Sequence, residues 1–240
     1  MLFRETVDYR DGNLALQGWL MADRGRRRPA PGVLVFHEYI GLGEYLERPL
    51  KKLARIGYVV MAADMYGRGV RPENGETALR FSRPLRADRA TMRQRASAAF
   101  DCLRGCDGVD PQRIAAIGYS FGGCAALELA RSGAAIRAAV SFYGYLDTSL
   151  PATADAICAR LLVFHGLRDP VVPMSSLVAF QEEMTAARAD SRVITYPNAG
   201  HGFCNPRMDG SQDPWNRYIR SHDERSWRTL VAFLEETLNR

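Results

Sequence analysis

Six short apolar runs, each bounded by turn residues and followed by a stretch with helical spacing, set the tightest limit on how this chain folds. They are residues 32–36 (GVLVF), 58–63 (YVVMAA), 114–117 (IAAI), 138–143 (AAVSFY), 161–164 (LLVF) and 192–196 (RVITY), rich in β-branched and aromatic side chains. Segments 44–55, 87–104, 121–132, 174–187 and 223–238 carry apolar residues at intervals of three and four, which gathers them on one helical face. Apolar strands alternating with amphipathic helices predict an α/β fold with a mainly parallel central sheet and helices on both faces, because parallel strands need crossovers that cover the sheet. The start differs. Residues 3–9 and 14–22 flank Asp11-Gly12-Asn13, which predicts an antiparallel N-terminal hairpin. Asp64 to Arg86 is interrupted by Gly67, Gly69, Pro72, Gly75 and Pro84 and is expected to be an irregular segment covering the active site.

The 240 residues contain no repeat, low-complexity tract or dividing linker, so a single domain over residues 1–240 is expected. The 47% hydrophobic and 25% charged composition excludes intrinsic disorder. No run of 18 apolar residues is present to span a bilayer, and the charged opening MLFRETVDYR lacks the apolar core of a signal peptide, so a cytoplasmic location and no membrane partner are expected. The net charge is +5, and the bases other than Lys51 and Lys52 are all arginine. The cluster Arg24, Arg26, Arg27 and Arg28 reads as a solvated turn, since no nucleic-acid motif or interleaved aromatics accompany it, and no nucleic-acid partner is expected. Five cysteines, an odd number without a C-x-x-C, are expected to be free thiols, with Cys102 and Cys106 packed as small apolar residues rather than metal ligands.

The chemistry concentrates at Gly118-Tyr119-Ser120-Phe121-Gly122, a G-x-S-x-G between a predicted strand and a predicted helix. A serine on such a sharp turn is exposed at the top of the sheet, and glycines at 118, 122 and 123 let the backbone cross without Cβ clashes. The helix start then supplies N–H groups and a positive dipole where an oxyanion would develop. A serine hydroxyl needs a histidine base and an orienting acid, in the chain order serine, acid, histidine. Of four histidines, His37 and His165 end strands and His222 precedes the last helix, which leaves His201, in Ala199-Gly200-His201-Gly202-Phe203, in the expected place. Asp169, after the LLVF strand, is the preferred acid, and Asp147, one strand earlier, is its competitor.

Four segments in order resemble the dienelactone hydrolase family of the α/β-hydrolase superfamily, and the likeness covers nearly the whole chain. They are Phe36-His37-Glu38 with Ile40-Gly41-Leu42; Ala63-Asp64-Met65-Tyr66-Gly67-Arg68-Gly69; Gly118-Tyr119-Ser120-Phe121-Gly122-Gly123; and His165-Gly166 to Asp169 with Gly200-His201-Gly202-Phe203. The resemblance implies an α/β-hydrolase fold and an ester or lactone hydrolase without metal or organic cofactor. It implies an oxyanion hole from the backbone N–H groups of Tyr39 and Phe121. It further implies an auxiliary carboxylate at Glu38 that helps activate the nucleophile, and a substrate-pocket tyrosine at Tyr143. The chain departs from the family pattern twice. The best-known members carry cysteine where Ser120 stands, which places more weight on His201 as base and puts the role of Glu38 in question. Members acting on the carboxylate-bearing dienelactone have an arginine where this chain has Asn205; Arg207 is out of register, and Arg71, Arg80, Arg83 and Arg86 could supply an anion clamp but each reads first as part of a solvated face.

The expected activity is that of a serine hydrolase acting on a small carboxylic ester or lactone, through Ser120 as nucleophile, His201 as base and Asp169 as orienting acid. A peptidase or acyltransferase with the same three residues, or a non-catalytic ligand-binding homologue, are the alternatives, since fold and triad do not choose the acceptor. Both a monomer and a homodimer fit the sequence.

Overall fold

The computed structural model describes residues 1–239. Eight strands form one sheet in the order β1-β2-β4-β3-β5-β6-β7-β8. The hairpin strands β1 (Leu2–Asp11) and β2 (Leu14–Asp23) pair antiparallel, and β2 joins β4 (Val59–Ala63) antiparallel through Trp19, Leu20 and Met21. From β4 onward every pairing is parallel, through β3 (Ala30–Phe36), β5 (Val109–Tyr119), β6 (Ala138–Phe142), β7 (Arg160–Gly166) and β8 (Ser191–Tyr196). This is the mainly parallel sheet with an antiparallel N-terminal hairpin expected from the alternating pattern, and it agrees with the α/β-hydrolase fold that the family resemblance implies. Among the described residues no helix is long and apolar enough to cross a membrane.

Strand alternation splits the core between the two faces of the sheet. Leu34 and Phe36 of β3 point to one side, with Met92, Phe100, Leu127 and Phe180 from the helices α3 (Arg89–Arg104), α4 (Phe121–Arg131) and α5 (Met174–Ala186). Val33 and Val35 point to the other, with Leu50, Leu53, Leu230 and Phe233 from α1 (Glu47–Arg55) and α6 (Arg220–Leu238). β3 and the second half of β5, from Ile114 to Gly118, are buried on both faces, which is why they read as unbroken apolar runs. The chain leaves β3 for β4 on one side and β5 for β6 on the other, so a crevice opens above the carboxyl ends of β3 and β5, where open α/β sheets bind their ligands.

Two expectations need correction. The segment Asp64 to Arg86 is not irregular throughout: a helix, α2 (Gly75–Ala87), fills its second half. Asn74 caps it by accepting the Thr77 N–H at 2.9 Å, and Ala78, Ser82 and Leu85 form its buried stripe. Pro84 lies on the exposed face, and the helix continues through it. Second, β5 begins at Val109 rather than at 114, because Val109 and Asp110 pair with Ala30 and Pro31 before the register shifts to Ile114 opposite Gly32. The five cysteines are free thiols.

Candidate active site

Ser120 occupies the single residue between β5 and α4, with φ 52° and ψ −115°. That backbone is unfavourable for a residue with a Cβ, and the turn is held because Ser120 N–H donates to the Phe142 carbonyl at 2.9 Å while Cys124 N–H takes the Ser120 carbonyl at 3.2 Å. The crossing requires glycine on both sides. A Cβ on Gly118 would lie 2.0 Å from the Gly122 oxygen, and one on Gly122 would lie 2.3 Å from the Phe36 oxygen. The turn therefore packs against the end of β3, which brings the loop after Phe36 beside the serine.

Ser120 Oγ lies 2.8 Å from His201 Nε2, and His201 Nδ1 lies 2.8 Å from Asp169 Oδ2. The carboxylate can only accept, so Nδ1 carries the hydrogen and Nε2 is left to accept the serine O–H. Asp169 is fixed through its other oxygen, which accepts the N–H groups of Val171 at 2.8 Å and Val172 at 3.0 Å. His201 is anchored by its own N–H to the Trp215 carbonyl at 2.8 Å, and Gly200 beside it has no room for a Cβ against that same carbonyl. Asp147 stands elsewhere: its side chain is largely exposed and its Oδ2 accepts from Arg89 at 3.1 Å.

The backbone N–H groups of Tyr39 and Phe121 donate to no protein acceptor among the described residues. The Tyr39 loop is braced by buried hydroxyls: Tyr66 donates to the Tyr39 carbonyl at 2.6 Å, and Tyr45 donates to the Gly41 carbonyl at 3.0 Å while accepting the Glu38 N–H at 2.8 Å. Tyr45 acts on its own loop, while Tyr66, within the second of the family-like segments, reaches this loop across 27 positions only through the fold.

Glu38 is 6% exposed, and both carboxylate oxygens are committed. Oε1 accepts the Tyr143 hydroxyl and Oε2 the Asn205 amide, each at 2.9 Å. Burial pushes its carboxyl above the ordinary range, against the lowering effects of the Tyr143 hydroxyl, His201, Arg207 and the Asn205 amide. Asn205, the departure from the family arginine, is thus a direct partner of Glu38. The Tyr143 ring sits edge-on to His201 at 5.2 Å between centroids, but its hydroxyl faces Glu38, and with Cys204 and Tyr119 it lines a small cavity behind the serine.

Above Ser120 lies a pocket of about 390 Å³, walled by Tyr39, Leu79, Phe121, Tyr145 and Val171 and reached by Arg83 and Arg86 from α2. Arg86 lies 3.8 Å over the Tyr145 ring, and neither arginine has a carboxylate partner among the described residues. Arg80 pairs with Glu76, and Arg71 and Arg207 line a neighbouring groove on the far side of Tyr39. The sequence could flag the arginines but not choose among them, because the helix that presents two of them was obscured by Pro84.

A family model described as the dienelactone hydrolase family matches residues 16–238. The chain belongs to that family. A provisionally named carboxymethylenebutenolidase of Synechocystis sp. is 27% identical over 225 residues, covering 85% of this chain and 90% of its own. Among solved structures, one named m3DLH is 36% identical with a TM-score of 0.94 over 99% of both chains. A dienelactone hydrolase-like promiscuous phosphotriesterase from metagenomic libraries is 34% identical with a TM-score of 0.90 over 98% of both. The likeness to the dienelactone hydrolases thus extends over nearly all of the described chain.

Proposed function

We propose that this dienelactone hydrolase family member is a serine hydrolase that opens small carboxylic esters or lactones through an acyl-enzyme. One observation carries the reading: the unbroken chain Ser120–His201–Asp169, both links at 2.8 Å, at the floor of an apolar pocket. Ser120 Oγ attacks the carbonyl carbon as His201 Nε2 takes its proton, and the Asp169 carboxylate stabilises the imidazolium. The carbonyl oxygen becomes an oxyanion facing the N–H groups of Tyr39 and Phe121. Collapse expels the alkoxide, which takes the proton from His201, and water activated by the same imidazole then releases the acid. Arg83 and Arg86, which have no carboxylate partner among the described residues, support a substrate that carries a second, anionic group on the pocket side.

The test is intact-mass labelling with a fluorophosphonate, beside turnover of short-chain nitrophenyl esters and simple lactones, on the native chain and Ser120→Ala. One adduct on the native chain and none on the variant, with turnover falling by about 10³-fold or more, is the expected result. No adduct and no turnover would favour a ligand-binding homologue instead. Added alcohol or amine, with product analysis, separates hydrolysis from acyl transfer or peptidase activity. A second reading draws on the relative named as a phosphotriesterase: a tetrahedral phosphoryl oxygen suits the same pair of N–H donors. A chromogenic phosphotriester distinguishes repeated turnover from a single stoichiometric burst.

A further inference from the structure

His37 is fully buried at the end of β3, and the steps above do not use it. Its Nε2 lies 3.2 Å from the Met65 backbone nitrogen and its Nδ1 2.6 Å from the Glu38 carbonyl oxygen. Met65 N–H can only donate, so Nε2 is the acceptor and the hydrogen sits on Nδ1, donated to Glu38. Burial pushes this imidazole down to about 4, which keeps it neutral near pH 7. The Glu38 carbonyl also accepts the Gly41 N–H at 3.0 Å, so two donors hold it from the loop side. That carbonyl and the Tyr39 N–H belong to one planar trans peptide and point in opposite directions. Fixing the first therefore aims the second. The same ring stacks on Phe121, with centroids 5.8 Å apart and planes 17° apart, and Phe121 supplies the other free N–H.

We infer that His37 is a positioning residue for the oxyanion hole: through the Glu38–Tyr39 peptide and the Phe121 ring it sets the direction of one N–H and the spacing between the two. The inference rests on the hydrolase reading above. It differs from a packing role because it depends on which ring nitrogen carries the hydrogen.

Two near-isosteric variants divide the ring's functions. In His37→Asn the side-chain amide falls at the Nδ1 position and keeps the donor to Glu38; in His37→Gln it falls near Nε2 and keeps only the partner of Met65. Three quantities are read on folded protein: kcat, KM for a nitrophenyl ester, and affinity for an aryl trifluoromethyl ketone, which forms an oxyanion on serine. His37→Gln is expected to lose about tenfold to a hundredfold in kcat with KM nearly unchanged and ketone affinity falling in parallel, while His37→Asn stays within about threefold. Equal kcat in the two variants, whether both high or both low, overturns the inference. In the native protein, nitrogen-detected NMR should find His37 as the Nδ1–H tautomer; the Nε2–H tautomer also overturns it, and this reading decides the matter if a variant does not fold. Absence of ester turnover and of a ketone adduct in the native chain would instead defeat the hydrolase reading, and the inference with it.

Discussion

The Tyr143 hydroxyl donates to Glu38 Oε1 at 2.9 Å, joining the start of the loop after β6 to the loop after β3 directly behind the serine. Because Asn205 takes the other oxygen, neither oxygen of Glu38 is free for Ser120, whose own hydroxyl is paired with His201.

The Glu38 carboxyl, raised by burial, binds its proton more tightly in the folded chain than in the unfolded one. Its contribution to stability is then complete below the unfolded value of 4.5 and is lost as pH rises through the folded one. Glu38→Gln imitates the protonated form, accepting one hydrogen bond and donating to the Tyr143 oxygen. The two proteins should melt together near pH 4, and the variant should become the more stable as pH rises toward 8. A native protein that melts higher than the variant at pH 8 would contradict this. On the proposed mechanism the variant still labels with fluorophosphonate.

Asp169 and Asp147 are told apart by geometry, since only Asp169 contacts His201. Asp169→Asn presents an amide to Nδ1, which favours the wrong tautomer, and ester turnover should drop about 10³- to 10⁴-fold. Asp147→Asn, changing an exposed side chain, should leave turnover within about twofold of native. Comparable losses in the two variants would reject the assignment of the acid.

Arg83 and Arg86 should govern selectivity rather than chemistry. Replacing both with alanine is expected to lower kcat/KM by about tenfold to a hundredfold for esters whose acid bears a carboxylate, through loss of charge-assisted hydrogen bonds. Neutral esters of the same shape should be little affected. A loss of equal size for both substrates would assign the arginines to packing.

Glu128 in α4 is completely buried and accepts from Arg131 at 3.0 Å and Arg93 at 2.7 Å, with Arg89 at 3.9 Å. Glu128→Ala leaves the buried guanidinium groups of Arg89 and Arg131 short of compensation and should cost about 3–5 kcal/mol. In a chain of this size that lowers Tm on the order of 10 °C, measurable by calorimetry, with a drop of only a degree or two counting against the network.

How much was legible in the sequence depended on whether a residue's role is local. The central apolar runs name strands because burial on both faces leaves a continuous apolar signature, whereas the half-exposed edge strand β8 and the hairpin were legible from β-branched residues and the Asp11-Gly12-Asn13 turn. That Ser120, His201 and Asp169 would come together was readable because the turn needs glycines at fixed offsets and the chain order restricts the partners. The helix α2 was hidden because Pro84 normally ends a helix, and its true signal was the cap at Asn74. The clasp on Glu38 from Asn205 spans 167 positions and the brace on Tyr39 from Tyr66 spans 27, and neither leaves a periodic or spaced trace. Tyr143 was expected at the substrate pocket through family resemblance; the hydrogen bond from its hydroxyl to Glu38 spans 105 positions and leaves no trace in the sequence.

The backbone at Ser120, at φ 52°, is one that glycine adopts freely and serine adopts at a cost of about 1–2 kcal/mol. Residue 120 is therefore a position where folding and chemistry ask for different amino acids. A laboratory evolution experiment that rewarded only melting temperature would drift toward Ser120→Gly, yielding a sturdier protein without the hydroxyl proposed as its nucleophile.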